Sequence, residues 1–192
     1  MTRYGKIESQ SGTLSYQGKH HYRGIAPYPA NLLLLQGSTW EEFNFFGEFV
    51  GDWIWNGTYW LSTQAFVDRS PMTLGTAFSA ATSSVDFPCD EGTNLWIESA
   101  IVAVQVNAAS TAANYWAFTL SRINAAGTAT TLLTQNTQGQ AANTWVNYSA
   151  TLNLHVDLTA TGTKTLRLAD SRPAGTIQRR GTQSVKYRLA RK

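Results

Sequence analysis

The sequence predicts an all-β protein, an antiparallel β-sandwich or jelly roll with an extended N-terminal arm. Three observations carry this expectation. From about residue 95 onward, stretches of alternating apolar and polar residues recur between turns rich in Gly, Asn and Ala, the spacing of consecutive antiparallel strands. Upstream, an aromatic segment centred on an Asn-Gly pair reads as a hairpin. Helix-period patterning is scarce throughout, and many short strands without helices fit sandwiches and jelly rolls.

Residues 1–37 mix Gly, Ser, Gln and Tyr with Pro27 and Pro29 and sustain neither a helix nor a strand period, so they read as the extended arm. The run Leu32, Leu33, Leu34, Leu35 within it must be covered in the native state, because contiguous exposed apolar surface usually marks an interface. The cover comes either from the same subunit, as a short buried strand, or from a neighbour, as an assembly contact.

Residues 38–94 form the aromatic-rich hairpin region and an acidic loop, and include Phe43, Phe45, Phe46, Phe49, Trp53, Trp55, Tyr59, Trp60 and Phe66. The Asn56-Gly57 pair predicts a two-residue type I′ turn, which tolerates positive φ and matches strand twist. That turn sets Trp55 opposite Thr58, Ile54 opposite Tyr59 and Trp53 opposite Trp60. Period-two alternation then puts Trp53, Trp55 and Trp60 on one face and Ile54 and Tyr59 on the other. An indole face of this kind either packs in a core or interface, or stacks on sugar rings as a platform.

Residues 95–192 hold the sandwich strands and a basic C-terminus, with strands predicted at 95–106, 115–123, 128–135, 144–158, 163–169 and 183–190. Trp116, Phe118 and Leu120 share a face, as do Leu152, Leu154, Val156 and Leu158. In the last strand Val185, Tyr187 and Leu189 alternate with Ser184, Lys186 and Arg188.

The string Trp-Ile-Trp-Asn-Gly-Thr-Tyr-Trp-Leu-Ser at 53–62 resembles a Trp-rich hairpin of tail-fibre-like virion proteins of cyanobacteria and their phages. The resemblance implies a non-enzymatic virion structural protein, a tail-fibre-like or tail adaptor subunit working in a symmetric oligomer, with a trimer favoured. Other virion proteins are then its partners, with a host surface glycan as a further candidate, and its place is the virion, assembled in the host cytoplasm. Collagen-like tracts, heptads and shaft repeats are missing, which favours a compact head, adaptor or decoration subunit over a full fibre. A capsid decoration (cement) protein is the alternative, and a carbohydrate-binding β-sandwich module the second.

Composition agrees with that class. Hydrophobic residues make up 43% and charged residues 14% of the chain, and such a polar but weakly charged surface suits extracellular or virion β-proteins. Cys89 is the only cysteine, which excludes an intramolecular disulfide and a thiol redox pair. The start, Met1-Thr2-Arg3-Tyr4-Gly5, lacks a signal pattern, and Leu32–Leu35 is the longest aliphatic run, so no membrane insertion is expected. Asn56-Gly57-Thr58 and Asn147-Tyr148-Ser149 match the glycosylation pattern and are read as chance.

Charge is segregated along the chain. Residues 38–98 hold nine of the twelve acids, while residues 164–192 hold nine of the fifteen bases. Segments of opposite sign favour register and specific pairing, within a subunit or between neighbours. Arg179, Arg180, Lys186 and Arg188 form the candidate basic assembly patch, expected to weaken as salt rises.

Catalytic patterns are missing: the chain has no G-x-S-x-G elbow and no S-x-x-K pair, and its histidines are His20, His21 and His155. His155 reads as a surface residue, and His20 and His21 would point to opposite sides of a strand. Asp86, Asp90, Glu91 and Asn94 make the best oxygen-ligand cluster, but their spacing matches no EF-hand, so a solvated acidic loop is expected. Glu41, Glu42, Glu48, Asp52 and Glu98 could supply a glycosidase pair only if two converged. Neither phosphate-loop fingerprint occurs. The basic tail, with Arg172, Arg191 and Lys192 among its residues, comes without a nucleic-acid fold signature. The expectation is therefore a non-enzyme with no cofactor, no metal and no nucleic-acid partner.

Overall fold

The computed structural model describes residues 21–25, 36–71, 78–88, 94–157 and 163–191, in which every regular element is a strand. The fold class is as expected: all-β, with antiparallel sheets packed as a sandwich. Leu32 to Leu35, Cys89, Asp90 and Glu91 lie outside the described residues. The chain forms two compact units, residues 1–65 with 188–192 and residues 66–187, so the region 38–94 is shared between them.

The smaller unit contains β1 (His21–Ile25), β2 (Thr39–Phe43), β3 (Phe49–Trp55) and β4 (Trp60–Ser62), paired in that order. β1 runs parallel to β2, from His21 opposite Thr39 to Ile25 opposite Phe43. A strand thus occurs inside the segment read as an arm, where five residues with no apolar alternation gave no signal. β2 and β3 are antiparallel, with Trp40 opposite Trp53.

The larger unit follows with β5 (Phe66–Pro71), β6 (Ser84–Pro88), β7 (Asn94–Val106), β8 (Tyr115–Asn124), β9 (Ala129–Asn136), β10 (Trp145–Asp157), β11 (Thr163–Ala174) and β12 (Arg179–Arg191). The last residues of β12, from Arg188, belong to the smaller unit, where Ala190 and Arg191 pair with Leu61 and Trp60. Within the larger unit one sheet has the order β5-β12-β7-β10 and the other β6-β11-β8-β9.

Alternation explains the core. Trp116, Phe118 and Leu120 of β8 all point inward, as expected, and Trp116 and Phe118 pack on Val102, Val104 and Val106 of β7 and on Ile177. Burying such side chains contributes about 1.5–3 kcal/mol each, the main stabilising term of the unit. β7 changes phase along its length: Leu95 and Ile97 are inward, then Ala100, Val102 and Val104. The change falls where its pairing with β10 shifts register between Thr151 and Leu154, beside Asn153 at a φ of 46°.

The last two strands are longer than predicted, and the reason is polar. On β11 the inward series runs Leu166, Leu168, Asp170, and on β12 it runs Arg179, Gln183, Val185, all buried. A period read on apolar residues alone stops at Asp170 and starts only after Arg179. The two charges meet: the Arg179 guanidinium lies 2.6 Å from the Asp170 carboxylate, with both side chains fully enclosed. Ser83 donates its backbone N–H and its hydroxyl to the same carboxylate at 2.8 and 2.7 Å. Arg179 also donates to the Ala81 carbonyl at 2.8 Å, and its guanidinium lies 4.4 Å from the centre of the Trp116 ring. The Trp116 indole N–H in turn donates to the Ile177 carbonyl at 3.0 Å.

Gly181 follows for a steric reason. It sits at a φ of 150°, and a Cβ there would lie 2.0 Å from the Ala103 carbonyl oxygen of β7, so no side chain fits between the two backbones.

Removing one member of a buried ion pair leaves the other uncompensated, which typically costs about 3–5 kcal/mol. Asp170→Ala and Arg179→Ala are each expected to lose stability of that order in chemical denaturation. The double variant Asp170→Leu/Arg179→Met should recover part of the loss. A single variant of wild-type stability would show that the pair does not hold the sandwich.

Candidate functional site

The aromatic hairpin region folds around indoles. Trp40, Trp53 and Trp60 are buried together, with Trp55 and Leu189 packed against them. Trp40 stacks on Trp53 at 6.2 Å between ring centres and meets Trp60 edge-on at 5.8 Å, while Trp55 lies 5.5 Å from Trp60. Such offset and edge geometries match the quadrupoles of the rings and add about 0.5–1.5 kcal/mol per pair beyond burial. Glu42 is buried in the same cluster, accepting the Trp53 indole N–H at 2.8 Å and pairing with Arg191. The Arg191 guanidinium lies 4.4 Å from the centre of the Trp53 ring. The place of Trp40 and Glu42 in this cluster was not read from the sequence, because nothing local to either marks the alignment of β2 with β3.

The hairpin register differs from the two-residue turn. Trp55 pairs with Trp60, Ile54 with Leu61 and Trp53 with Ser62, so the loop spans Asn56 to Tyr59. The side chain of Asn56 accounts for this by accepting the N–H groups of Thr58 and Tyr59 at 2.9 and 2.8 Å, while the Asn56 N–H donates to the Tyr59 carbonyl at 3.0 Å. Only Gly57, at a φ of 102°, takes the positive φ that a type I′ turn demands of both central residues. A shift of two residues preserves parity, so Trp53, Trp55 and Trp60 still share a face. That face is used in packing: Trp53 and Trp60 are only 4% and 2% exposed, which removes two of the three indoles from a sugar platform. Trp55 and Tyr59 are half-buried.

What the unit does expose is the tip between β2 and β3. Phe45 is 70% and Phe46 84% exposed, and Phe49 and Val50 beside them are exposed as well. The tip is built to hold its shape. The Asn44 side chain accepts the N–H groups of Phe46 and Glu48 at 3.0 and 2.9 Å and donates to the Glu48 carboxylate at 2.7 Å. The backbone closes with Asn44 N–H to the Glu48 carbonyl at 2.8 Å and Gly47 N–H to the Asn44 carbonyl at 3.0 Å. Phe45 and Phe46 meet edge to face at 6.0 Å, as do Phe43 and Phe49 at 5.9 Å. Asn44 and Gly47 mark a turn around the two phenylalanines, but whether a core lies within reach of either ring is not a local property.

Of the four basic residues, Arg179 is not at the surface. Arg179 is inside the sandwich, its charge committed to Asp170, because it occupies an inward strand position. Arg180 lies over Phe78 and Trp145, at 4.8 and 5.8 Å from the ring centres, and donates to Gln105 at 2.6 Å. Lys186 pairs with Glu98 at 2.7 Å. Arg188 belongs to the smaller unit and donates to the carbonyls of Ser62, at 2.8 Å, and Thr63.

Of the acidic loop, Asp86 lies on β6 and makes a two-pronged pair with Arg167 at 2.6 and 2.8 Å, and the hydrogen bond from Arg167 holds its carboxyl below the ordinary carboxylate range. His155 is half-buried on β10. Among the described residues no three His, Cys, Asp or Glu side chains gather as metal ligands.

No family model matches the chain, and no curated protein matches it in sequence. Solved structures that resemble it in part include those of infectious bursal disease virus. The Gx strain structure matches at 18% identity over 74% of this chain and 41% of that one, with a TM-score of 0.35. The Gt strain structure matches at 15% identity over the same shares, also at 0.35. The VP2 subviral particle of that virus matches at 12% identity over 70% of this chain and 40% of that one, at 0.36. The chain spans less than half the length of these proteins, and nothing about function follows from likeness at such TM-scores.

Truncating a buried large aromatic costs about 3–5 kcal/mol, so Trp53→Ala and Trp60→Ala are expected to lose that much in denaturation, and half-buried Trp55→Ala less. Unchanged stability in Trp53→Ala would contradict the packing role. Gly57→Val meets no neighbouring atom but forces positive φ on a β-branched residue, and should cost about 1–3 kcal/mol. An unaffected melting temperature there would show that the Asn56 side chain alone defines the loop.

Proposed function

We propose that the chain is a non-enzymatic structural subunit of a virus particle, a tail-fibre-like or tail adaptor protein acting in a symmetric oligomer, with a trimer favoured. The observation that carries the reading is the rigid hairpin tip presenting Phe45 and Phe46 outward. Desolvated aromatics on a preorganised support are the usual anchors of protein interfaces, and each such side chain contributes about 1.5–3 kcal/mol when it is buried. The tip thus suits an apolar pocket on another virion protein. The carboxylates support the same reading, since Glu42, Asp86, Glu98 and Asp170 each pair with a base of their own unit and serve as ties. The hairpin string at 53–62 adds its resemblance to tail-fibre-like proteins.

A capsid decoration protein is the second reading, favoured by the same tip if its pocket lies on a capsid subunit. A carbohydrate module built on the hairpin indoles is the weaker one, because the packing of Trp53 and Trp60 takes up their faces. A host surface glycan would then be met elsewhere on the particle.

Phe45→Ser/Phe46→Ser alters exposed positions and should fold with wild-type stability. Its incorporation into purified particles should fall at least about tenfold, the effect of losing roughly 1.4 kcal/mol of contact. The wild-type chain should co-purify with isolated tails; recovery with tail-less heads instead would select the decoration reading. Unchanged incorporation of the variant, or absence of the wild type from both fractions, would overturn the proposal.

A further inference from the structure

We propose that the side of the larger sandwich formed by β9 and β10 is the face on which a second copy of this chain docks. The inference deepens the oligomeric part of the function proposed above and names its contact.

The strand orders put both edges on one side. β7 packs on β8 through the valines and Trp116 and Phe118, while β12 is tied to β11 by Arg179 and Asp170. β10 flanks β7 away from β12, as β9 flanks β8 away from β11. No described strand pairs with the outer edge of either.

Three features of this side point to a partner. First, the core is poorly sealed there. Val146, Tyr148, Ala150, Leu152 and Leu154 of β10 are only half-buried, whereas Val102 and Val104 beside them are almost completely enclosed. Second, the edges lack the usual protection. Open edges are normally guarded by lysine, proline or inward charge, yet β9 has none of these and β10 has no charge before Asp157. Third, Trp145 at the start of β10 is 55% exposed, the kind of side chain that anchors interfaces.

The charge pattern selects a second copy as the occupant. Between Glu98 and Asp157 the only charged residue is Arg122, in a chain with 27 charged residues, so residues 123–156 are uncharged throughout. A surface that meets its own copy sets identical or nearby side chains against one another, and like charges there would repel. Hydroxyls and amides carry no such penalty, because each both donates and accepts. The outward residues are of that kind: Thr130, Thr131, Thr134, Asn147, Ser149 and Thr151. Neither strand carries a base for a nucleic acid, and the one guanidinium placed over Trp145, that of Arg180, is engaged with Gln105.

Sedimentation of the full chain tests the assignment. Wild type should be oligomeric, and its association should hold between about 0.1 and 1 M NaCl, where screening would weaken a contact made through the basic C-terminus. Thr134→Lys/Asn147→Lys/Thr151→Lys changes exposed residues only and should dissociate at least about tenfold more readily, with an unchanged far-UV spectrum. Thr182→Lys, an exposed position on β12, should associate like wild type. Hydrogen exchange on the wild type gives the same answer without substitution: the amides of β9 and β10 should slow as protein concentration rises. An oligomer that persists in the triple variant, or β9 and β10 amides that exchange alike at all concentrations in an oligomeric protein, would overturn this face and leave the oligomeric reading standing. A wild type that is monomeric at all concentrations would overturn both.

Discussion

The larger unit is organised around one buried ion pair. Asp170 and Arg179 occupy positions that strand alternation reserves for apolar side chains, on two strands that follow each other in the chain. Enclosing two charges is tolerable only if every lone pair and donor nearby is used well. The Ser83 N–H and hydroxyl, the Ala81 carbonyl and the face of Trp116 meet most of that demand. The pair therefore ties the segment before β6 to β11, β12 and the centre of the core. A hydrophobic pair could match its stability, but it would not dictate which segment lies over the end of the sandwich. Directional hydrogen bonds give this arrangement its single register.

The smaller unit solves the same problem with aromatics. Four indoles and one carboxylate–guanidinium pair make a core from few residues, since each indole buries a large area and offers one N–H to be satisfied. Glu42 satisfies that of Trp53 and neutralises Arg191. Once the indoles are committed inward, the phenylalanines of the tip are left outside, held by Asn44 rather than by packing. The contrast between an enclosed Trp cluster and an exposed Phe pair separates what stabilises the unit from what it can offer a partner.

Charge is distributed to match. Opposite segments of the sequence meet within their own units, as Lys186 with Glu98, Arg167 with Asp86 and Arg191 with Glu42. The two exposed pairs, Lys186 with Glu98 and Arg167 with Asp86, are worth little individually, usually under about 1 kcal/mol, but they consume charge that could otherwise act between molecules. The two surfaces proposed for association are apolar at the Phe tip and neutral along β9 and β10. Assembly on such surfaces relies on shape and desolvation more than on long-range attraction.

Much of the fold was legible in the sequence, because strand identity is a local matter. Alternation at Trp116, Phe118 and Leu120 reports a buried face without reference to any partner, and turns such as Asn124 to Gly127 mark where strands end. The shared face of Trp53, Trp55 and Trp60 was equally local, and it survived a wrong turn length because the error was an even number of residues. What tertiary structure decided were the matters that need two distant segments at once. The full lengths of β11 and β12 depend on Asp170 and Arg179 finding each other, which no apolar period records. The burial of Trp40 and Glu42 depends on the register of β2 against β3, and the parallel pairing of β1 with β2 on chain direction. The exposure of Phe45 and Phe46 was decided the same way: hydrophobicity states that a side chain prefers to leave water, but only the assembled sheet determines whether there is a core within its reach.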